Sequence, residues 1–264
     1  MKRSEILESN DQYVSMWKVL AGDREGADLR DKAGLSVCWA DSPFPFWNAL
    51  FLNETISDRD LLRVRLRMSN TYMLGKQRSG LVYVCEDLLS GMAREHLDAI
   101  AVSENLAFAL NITGMAADIL PPGIDTPRSV LEFARVDSEA ALQAYADINS
   151  EGYGLALEAG RAGLAGSTFW KEVAFAYIGY LNGQPVSTAA AIVNDGQIYL
   201  ALVATRPDIQ RKGFGEAMVR HALNAAYHAT GITRTTLHAT DAGLPVYQRI
   251  GYHRTTVFKT YNPA

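Results

Sequence analysis

Thr205-Arg206-Pro207-Asp208-Ile209-Gln210-Arg211-Lys212-Gly213-Phe214-Gly215-Glu216 is the stretch whose reading decides the fold. A β-rich run, Ile198 to Thr205, leads into it. Phe214 to Thr230 leaves it as an amphipathic helix that would bury Met218, Val219, Ala222, Leu223 and Ala226. Gly213 and Gly215 sit where strand becomes helix, so the backbone there can come close to a ligand. The first N–H groups of the helix have no acceptor within it, and the positive end of its dipole lies at the same point. Arg211 and Lys212 add charge to that turn. Strand, basic glycine turn and helix together predict a cradle for an anion such as a pyrophosphate.

Two other phosphate signatures are excluded by spacing. No Gly-Lys-Ser/Thr follows a four-residue spacer, and GxGxxG is missing. The run Gln210-Arg211-Lys212-Gly213-Phe214-Gly215, with Pro207 ahead of it, resembles the acetyl-CoA-binding motif of the GNAT acetyltransferase superfamily. That resemblance implies acetyl-CoA as the donor and Gln210 through Glu216 as its binding turn, with Arg211, Gly213, Gly215 and Glu216 giving main-chain N–H groups to pyrophosphate. It also implies a bulge that splays the preceding strand, where pantetheine pairs with the main chain of Val203, Ala204 and Thr205. A backbone N–H at Val203 or Thr205 would polarise the acetyl carbonyl.

Downstream, Asp241-Ala242-Gly243-Leu244-Pro245-Val246-Tyr247-Gln248-Arg249-Ile250-Gly251-Tyr252 resembles the family segment in which a tyrosine shortly precedes Gly-Phe or Gly-Tyr. The resemblance implies that Tyr247 lies beside the donor sulfur as general acid. A phenol of pKa about 10 can hydrogen-bond and protonate a thiolate whose acid has a pKa of about 8.5. Thr240 stands where many members carry a cofactor-contacting asparagine. The glutamate that members often place on the strand before the turn has no counterpart at Tyr199, Ala201 or Val203. Glu151, Glu172, His238 and Asp241 are the alternatives, and no base is assigned among them.

The chain of 264 residues has material for one large domain or two modest ones, and its 48% hydrophobic and 20% charged content is that of a globular protein. A net charge of -4 gives no footprint for nucleic acid. No apolar run approaches the ~20 residues of a membrane span, and the polar stretch Met1 to Gln12 is not a signal peptide. Cys38 and Cys85 have neither CxxC nor histidine spacing for zinc and read as small core residues, and His221 and His228 lack partners for a metal. The expectation is a cytoplasmic protein with no metal, no membrane and no nucleic-acid partner, of open oligomeric state.

Along the chain, Asn10 to Ala21, Asp58 to Gly75 (capped by Ser57) and Ala93 to Ser103 predict helices. Leu35 to Ala40, Phe46 to Asn53, Leu81 to Cys85 and Leu106 to Thr113 predict strands, and Asp23 to Gly34 a loop or short helix. Pro121-Pro122-Gly123 and Pro127 mark a linker, which sets the domains at 1–125 and 126–264. The second half begins with a strand at Val130 to Val136 and a helix at Glu139 to Ile148 capped by Ser138; Glu151-Gly152-Tyr153-Gly154 would interrupt a second helix. Phe175 to Leu181, Gln184 to Asn194 and Gln197 to Thr205 form an antiparallel run through Asn182-Gly183 and Asn194-Asp195-Gly196 turns. Arg234 to Thr240 and Tyr252 to Thr260 are the last strands, around a short helix at Leu244 to Ile250.

The fold class is therefore α/β with mixed sheets: two GNAT-like units, the first resembling the degenerate halves of tandem GNAT proteins. The implied activity is acetyl transfer from acetyl-CoA to an amine, most simply a small molecule, by direct attack in a ternary complex. A non-catalytic acetyl-CoA sensor or scaffold is the alternative from another class, and a longer-chain acyl-CoA transferase is a lesser one. Trp39 and Asn48, on an aromatic, proline-stiffened stretch, are expected on the wall of an acceptor site between the halves.

Overall fold

Helical spacing of Tyr13, Val14, Trp17 and Leu20 carries the first helix, and its polar upstream residues extend it to α1 (Arg3–Gly22). The computed structural model describes residues 3–118 and 130–264. The charged stretch expected as a loop or short helix instead holds β1 (Asp28–Lys32), joined to β2 (Leu35–Trp39) through Ala33 and Gly34, both at positive φ. β1 is an edge strand exposed along most of its length, so its charges blunt the edge rather than break the strand. β3 (Asn48–Leu52), α2 (Arg59–Leu74), β4 (Leu81–Cys85), α3 (Gly91–Glu95), α4 (Leu97–Ser103) and β5 (Leu106–Asp118) come next. The cap of α2 is Asp58, one residue past the expected Ser57, and its carboxylate accepts the Leu61 N–H at 2.7 Å.

The later chain forms β6 (Glu132–Arg135), α5 (Glu139–Tyr153), α6 (Leu157–Leu164), β7 (Phe175–Leu181), β8 (Gln184–Asn194) and β9 (Gln197–Thr205). It ends in α7 (Phe214–Thr230), β10 (Arg234–Ala239), α8 (Leu244–Ile250) and β11 (His253–Pro263). Asn182-Gly183 and Asp195-Gly196 all lie at positive φ, as type I′ hairpins demand. Ser138 caps α5 as expected, but the helix runs on through Glu151 to Tyr153 and closes on Gly154 at φ 68°.

Two compact units result. The first gathers the described parts of Met1–Met115, Ala239–Ala242 and Arg254–Ala264; the second gathers those of Ala116–His238 and Gly243–His253. The expected cut at 125/126 and its proline linker lie outside the described residues. The last strand, expected with the second half, belongs to the first unit from Arg254 onward, where β11 pairs antiparallel with β4 (Phe258 opposite Cys85, Tyr261 opposite Val82).

The first unit is a mixed sheet in the order β1-β2-β3-β4-β11-β5, parallel between β3 and β4. Its core packs Leu50, Leu52, Val82 and Val84 against Leu62 and Leu66 of α2. The second is a mixed sheet in the order β10-β9-β8-β7-β6, parallel between β10 and β9. Helices cover both of its faces. Gly179 is bare toward Met218 of α7, while Thr188, whose neighbour Ser187 pairs with Gly179, turns to Asn149 of α5.

Candidate functional site

The second unit forks at β9. Parallel pairing with β10 runs Thr235–Ile198, Thr236–Tyr199 and Leu237–Leu200, while β9 continues to Thr205. On its other side β9 stays paired with β8, but Ala190 opposes Ala201 and Thr188 opposes Ala204. Leu202 and Val203 therefore face the single residue Ala189, which is a β-bulge. Leu202 sits at φ 45°, a left-handed conformation that costs a non-glycine residue about 1–3 kcal/mol unless its surroundings hold it. They do hold it: its carbonyl accepts from Tyr145 Oη and Thr188 Oγ1, each at 3.2 Å.

Peptide planarity then orients the neighbouring groups. In a trans peptide the N–H points opposite to the carbonyl before it. The Leu202 carbonyl meets Thr188 of β8, and the Ala204 carbonyl meets Ser187 Oγ of β8 at 2.8 Å. The N–H groups of Val203 and Thr205 consequently point away from β8, toward the side from which β10 has parted. Ala204 itself, expected to share in pairing, turns its carbonyl to β8.

The turn is built as an uncapped helix start. Pro207–Ile209 form one 3-10 turn, Arg211 lies at φ 62°, and Gly213 is the N-cap residue of α7 at φ 83° with no side-chain cap. With no side-chain cap, the first N–H groups of α7 are left open to an anion. A β-carbon on Gly213 would meet nothing within 4 Å, whereas one on Gly215 would touch Thr205 Oγ1 at 3.4 Å. The outer side of the turn is thus open and its inner side is packed on the strand, with Phe214 buried as the anchor. Gln210 Nε2 donates to the Thr205 carbonyl at 3.0 Å, so its side chain ties the turn to β9. Arg211 and Lys212 are exposed and form no ion pair among the described residues. Glu216 would oppose an anion, but Arg220 at 2.9 Å and Arg249 at 3.3 Å neutralise it. These features fit a pyrophosphate.

Tyr247 projects from α8, whose N-terminal turn contains Pro245 and which ends on Gly251 at φ 117°. Burial, then Tyr153 and Tyr252, hold its phenol well above the ordinary tyrosine range. Tyr153, the last residue of α5, was missed as a site residue by sequence reasoning. Its hydroxyl donates to the Val203 carbonyl at 3.1 Å, and burial pushes it up to about 12. The signal lay in Tyr145, Asn149 and Tyr153, spaced by four residues and so near one helical face.

The alternatives for a base are dispersed. Glu151 faces Arg206 at 3.6 Å, Glu172 and Asp241 are exposed, and His238 Nδ1 lies 2.8 Å from Tyr199 Oη where the paired segment ends. Thr240 comes directly after β10 and clusters with the first unit. Trp39 and Asn48 do not match the expected acceptor wall. Each is 1% exposed, and Gly80 is bare to make room for the Trp39 ring. Asn48 uses its amide on the Ser42 N–H and carbonyl and on the Ser79 carbonyl. The prolines that suggested a displayed loop instead fold Phe44 and Trp47 into the core. Among the described residues no cluster suits a metal ion, and no helix is long and apolar enough to cross a membrane.

A forked strand with outward N–H groups runs into an uncapped basic helix start, an arrangement suited to holding an anion. Residues 168–254 match the family model described as Acetyltransferase (GNAT) domain, so the second unit carries a domain of the GNAT superfamily. Solved structures agree on the fold along the whole chain. A GCN5-related N-acetyltransferase from Kribbella flavida matches with a TM-score of 0.70 at 16% identity, covering 96% of this chain and 95% of its own. One from Sphaerobacter thermophilus gives 0.63 at 12%, covering 96% and 90%. A GCN5-related N-acetyltransferase-like protein from Streptococcus suis gives 0.54 at 14%, covering 98% and 99%. None of the curated proteins compared with the chain matches it. The match to this family supports acyl transfer as the class of reaction.

Proposed function

We propose that this protein transfers an acetyl group from acetyl-CoA to an amine of a small molecule, by direct attack within a ternary complex. The observation that carries the reading is the fork: β9 outruns its parallel partner, bulges at Leu202 and sends two N–H groups into the opening before the basic turn. Pyrophosphate would rest on the N–H groups at Arg211 to Glu216, and the thioester would lie along the open edge at Val203 to Thr205.

The amine nitrogen attacks the thioester carbon, forming the C–N bond and placing charge on the carbonyl oxygen. N–H groups of Val203 and Thr205 stabilise that charge. Collapse breaks the C–S bond, the Tyr247 hydroxyl passes its proton to sulfur, and the proton lost by the attacking nitrogen returns to the phenolate through water. Burial holds the Tyr247 phenol above its ordinary value, so it stays protonated and can donate to the departing sulfur as charge develops there. Direct attack is supported by the cysteines. Cys38 and Cys85 are both buried in the first unit, and burial pushes the Cys38 thiol up to about 12.

The test is thiol release from acetyl-CoA against a panel of amines. A second reading, a non-catalytic acetyl-CoA sensor, is favoured by the lack of a carboxylate at Tyr199, Ala201 and Val203. Thermal stabilisation by CoA without thiol release from any amine would select it.

A further inference from the structure

The open edge of β9 is chemically one-sided. Its two outward carbonyls are covered, Val203 by the Tyr153 hydroxyl at 3.1 Å and Thr205 by Gln210 Nε2 at 3.0 Å. Its outward N–H groups, at Val203 and Thr205, are oriented away from β8 by the carbonyls that precede them. Gln210 belongs to the donor turn, whereas Tyr153 arrives from a different element. α5 approaches β9 closely at Gly152, where an added β-carbon would stand 2.9 Å from that of Ala204. One residue later the helix delivers Tyr153, which is 36% exposed while its hydroxyl is set on the strand.

We propose that Tyr153 is a positioning residue for acyl transfer: by covering the Val203 carbonyl it leaves the β9 edge with only N–H groups to offer the carbonyl oxygen of an acyl thioester. This rests on the acyl-transfer reading and adds a residue to it. A bare carbonyl at Val203 would present its negative end beside the oxygen on which charge develops. Charge grows in the transition state, so the penalty falls on turnover more than on ground-state binding.

The experiment compares full-length Tyr153→Phe and Tyr261→Phe with wild type. Tyr261→Phe is the control, since it also deletes a tyrosine hydroxyl that donates a hydrogen bond, to Asp98 at 2.7 Å, but on a residue of the first unit that takes no part in the bulge or the turn. Three quantities are read: kcat with the best amine, KM for acetyl-CoA, and the melting shift given by CoA, which has no acyl carbonyl. The expected result for Tyr153→Phe is a kcat lower by at least ~10-fold, on the scale of lost oxyanion interactions, with KM and the CoA shift unchanged. Tyr261→Phe should lower the melting temperature and keep kcat. The proposal is overturned if Tyr153→Phe keeps kcat, if it loses the CoA shift along with kcat, or if Tyr261→Phe loses as much turnover. A wild type that binds CoA yet releases no thiol removes the acyl-transfer reading itself, and this proposal with it.

Discussion

Gly213 separates backbone strain from anion binding, because its β-carbon position is open space and its φ is 83°. Gly213→Ala should cost stability through φ alone, about 1–2 kcal/mol for a left-handed alanine. In a protein this large that lowers Tm by roughly 2–4 °C per kcal/mol. Gly213→Asn should cost less, since asparagine tolerates the left-handed region. Both variants nevertheless place a β-carbon on the outer side of the turn, where pyrophosphate would approach the backbone. The assay is thermal melting with and without CoA; a ligand at 100-fold its Kd contributes about 2.7 kcal/mol to the wild type. Both variants should lose most of that shift despite their different folding costs. Retention of the full CoA shift by the asparagine variant would refute the cradle, and loss that merely tracked each variant's own Tm would assign the effect to strain.

Tyr247→Phe keeps the ring and deletes the proton, so turnover should fall by ~10²–10⁴-fold with the CoA shift intact; unchanged turnover would return this tyrosine to packing. Gly152→Ala should cost about 1–3 kcal/mol through overpacking against Ala204, and an unchanged melt would show that α5 yields freely. His221 stacks on Phe133 at 4.1 Å and meets Tyr177 edge-on at 4.5 Å, and burial lowers its pKa. Its neutral form is therefore favoured by the fold: that stabilisation is whole above the unfolded pKa of about 6.5 and is lost as pH falls through the lowered value. His221→Phe should reduce the drop in Tm between about pH 7.5 and pH 5, on either side of that range, and an equal drop would place the acid sensitivity elsewhere. Asn48→Ala should cost stability through the orphaned Ser42 groups while leaving the KM of the acceptor unmoved; a raised acceptor KM would restore it to the binding wall.

The features legible in the sequence were local ones. The hairpins at Asn182-Gly183 and Asp195-Gly196, the start of α7 at Gly213 and its stop at Gly231 are set by a few residues' own φ preferences, and each stands where its residues put it. The bulge was anticipated only through the family resemblance, because Leu202 carries no mark of its positive φ; the conformation is imposed from outside by Tyr145 and Thr188. Long-range pairing was equally silent. Nothing in Tyr252 to Thr260 tells which strand it will seek, since its pairing with β4 joins segments far apart in the sequence. β1 was lost because charge at a strand edge looks like charge in a loop until the edge is known.

The failures at Trp39 and Tyr153 have one cause seen from two sides. A proline-rich aromatic stretch suggested display, yet rings of that size bury wherever a bare residue such as Gly80 gives them room. Glu151-Gly152-Tyr153-Gly154 suggested a break, yet Gly152 is bare because Ala204 lies against it, and only Gly154 ends the helix. In each case a glycine's meaning was set by what packs on it. A glycine at positive φ is readable from its neighbours in sequence, but one that admits a neighbour in space is not. The tyrosine that close approach delivers to Val203 therefore became visible only with the strand in place.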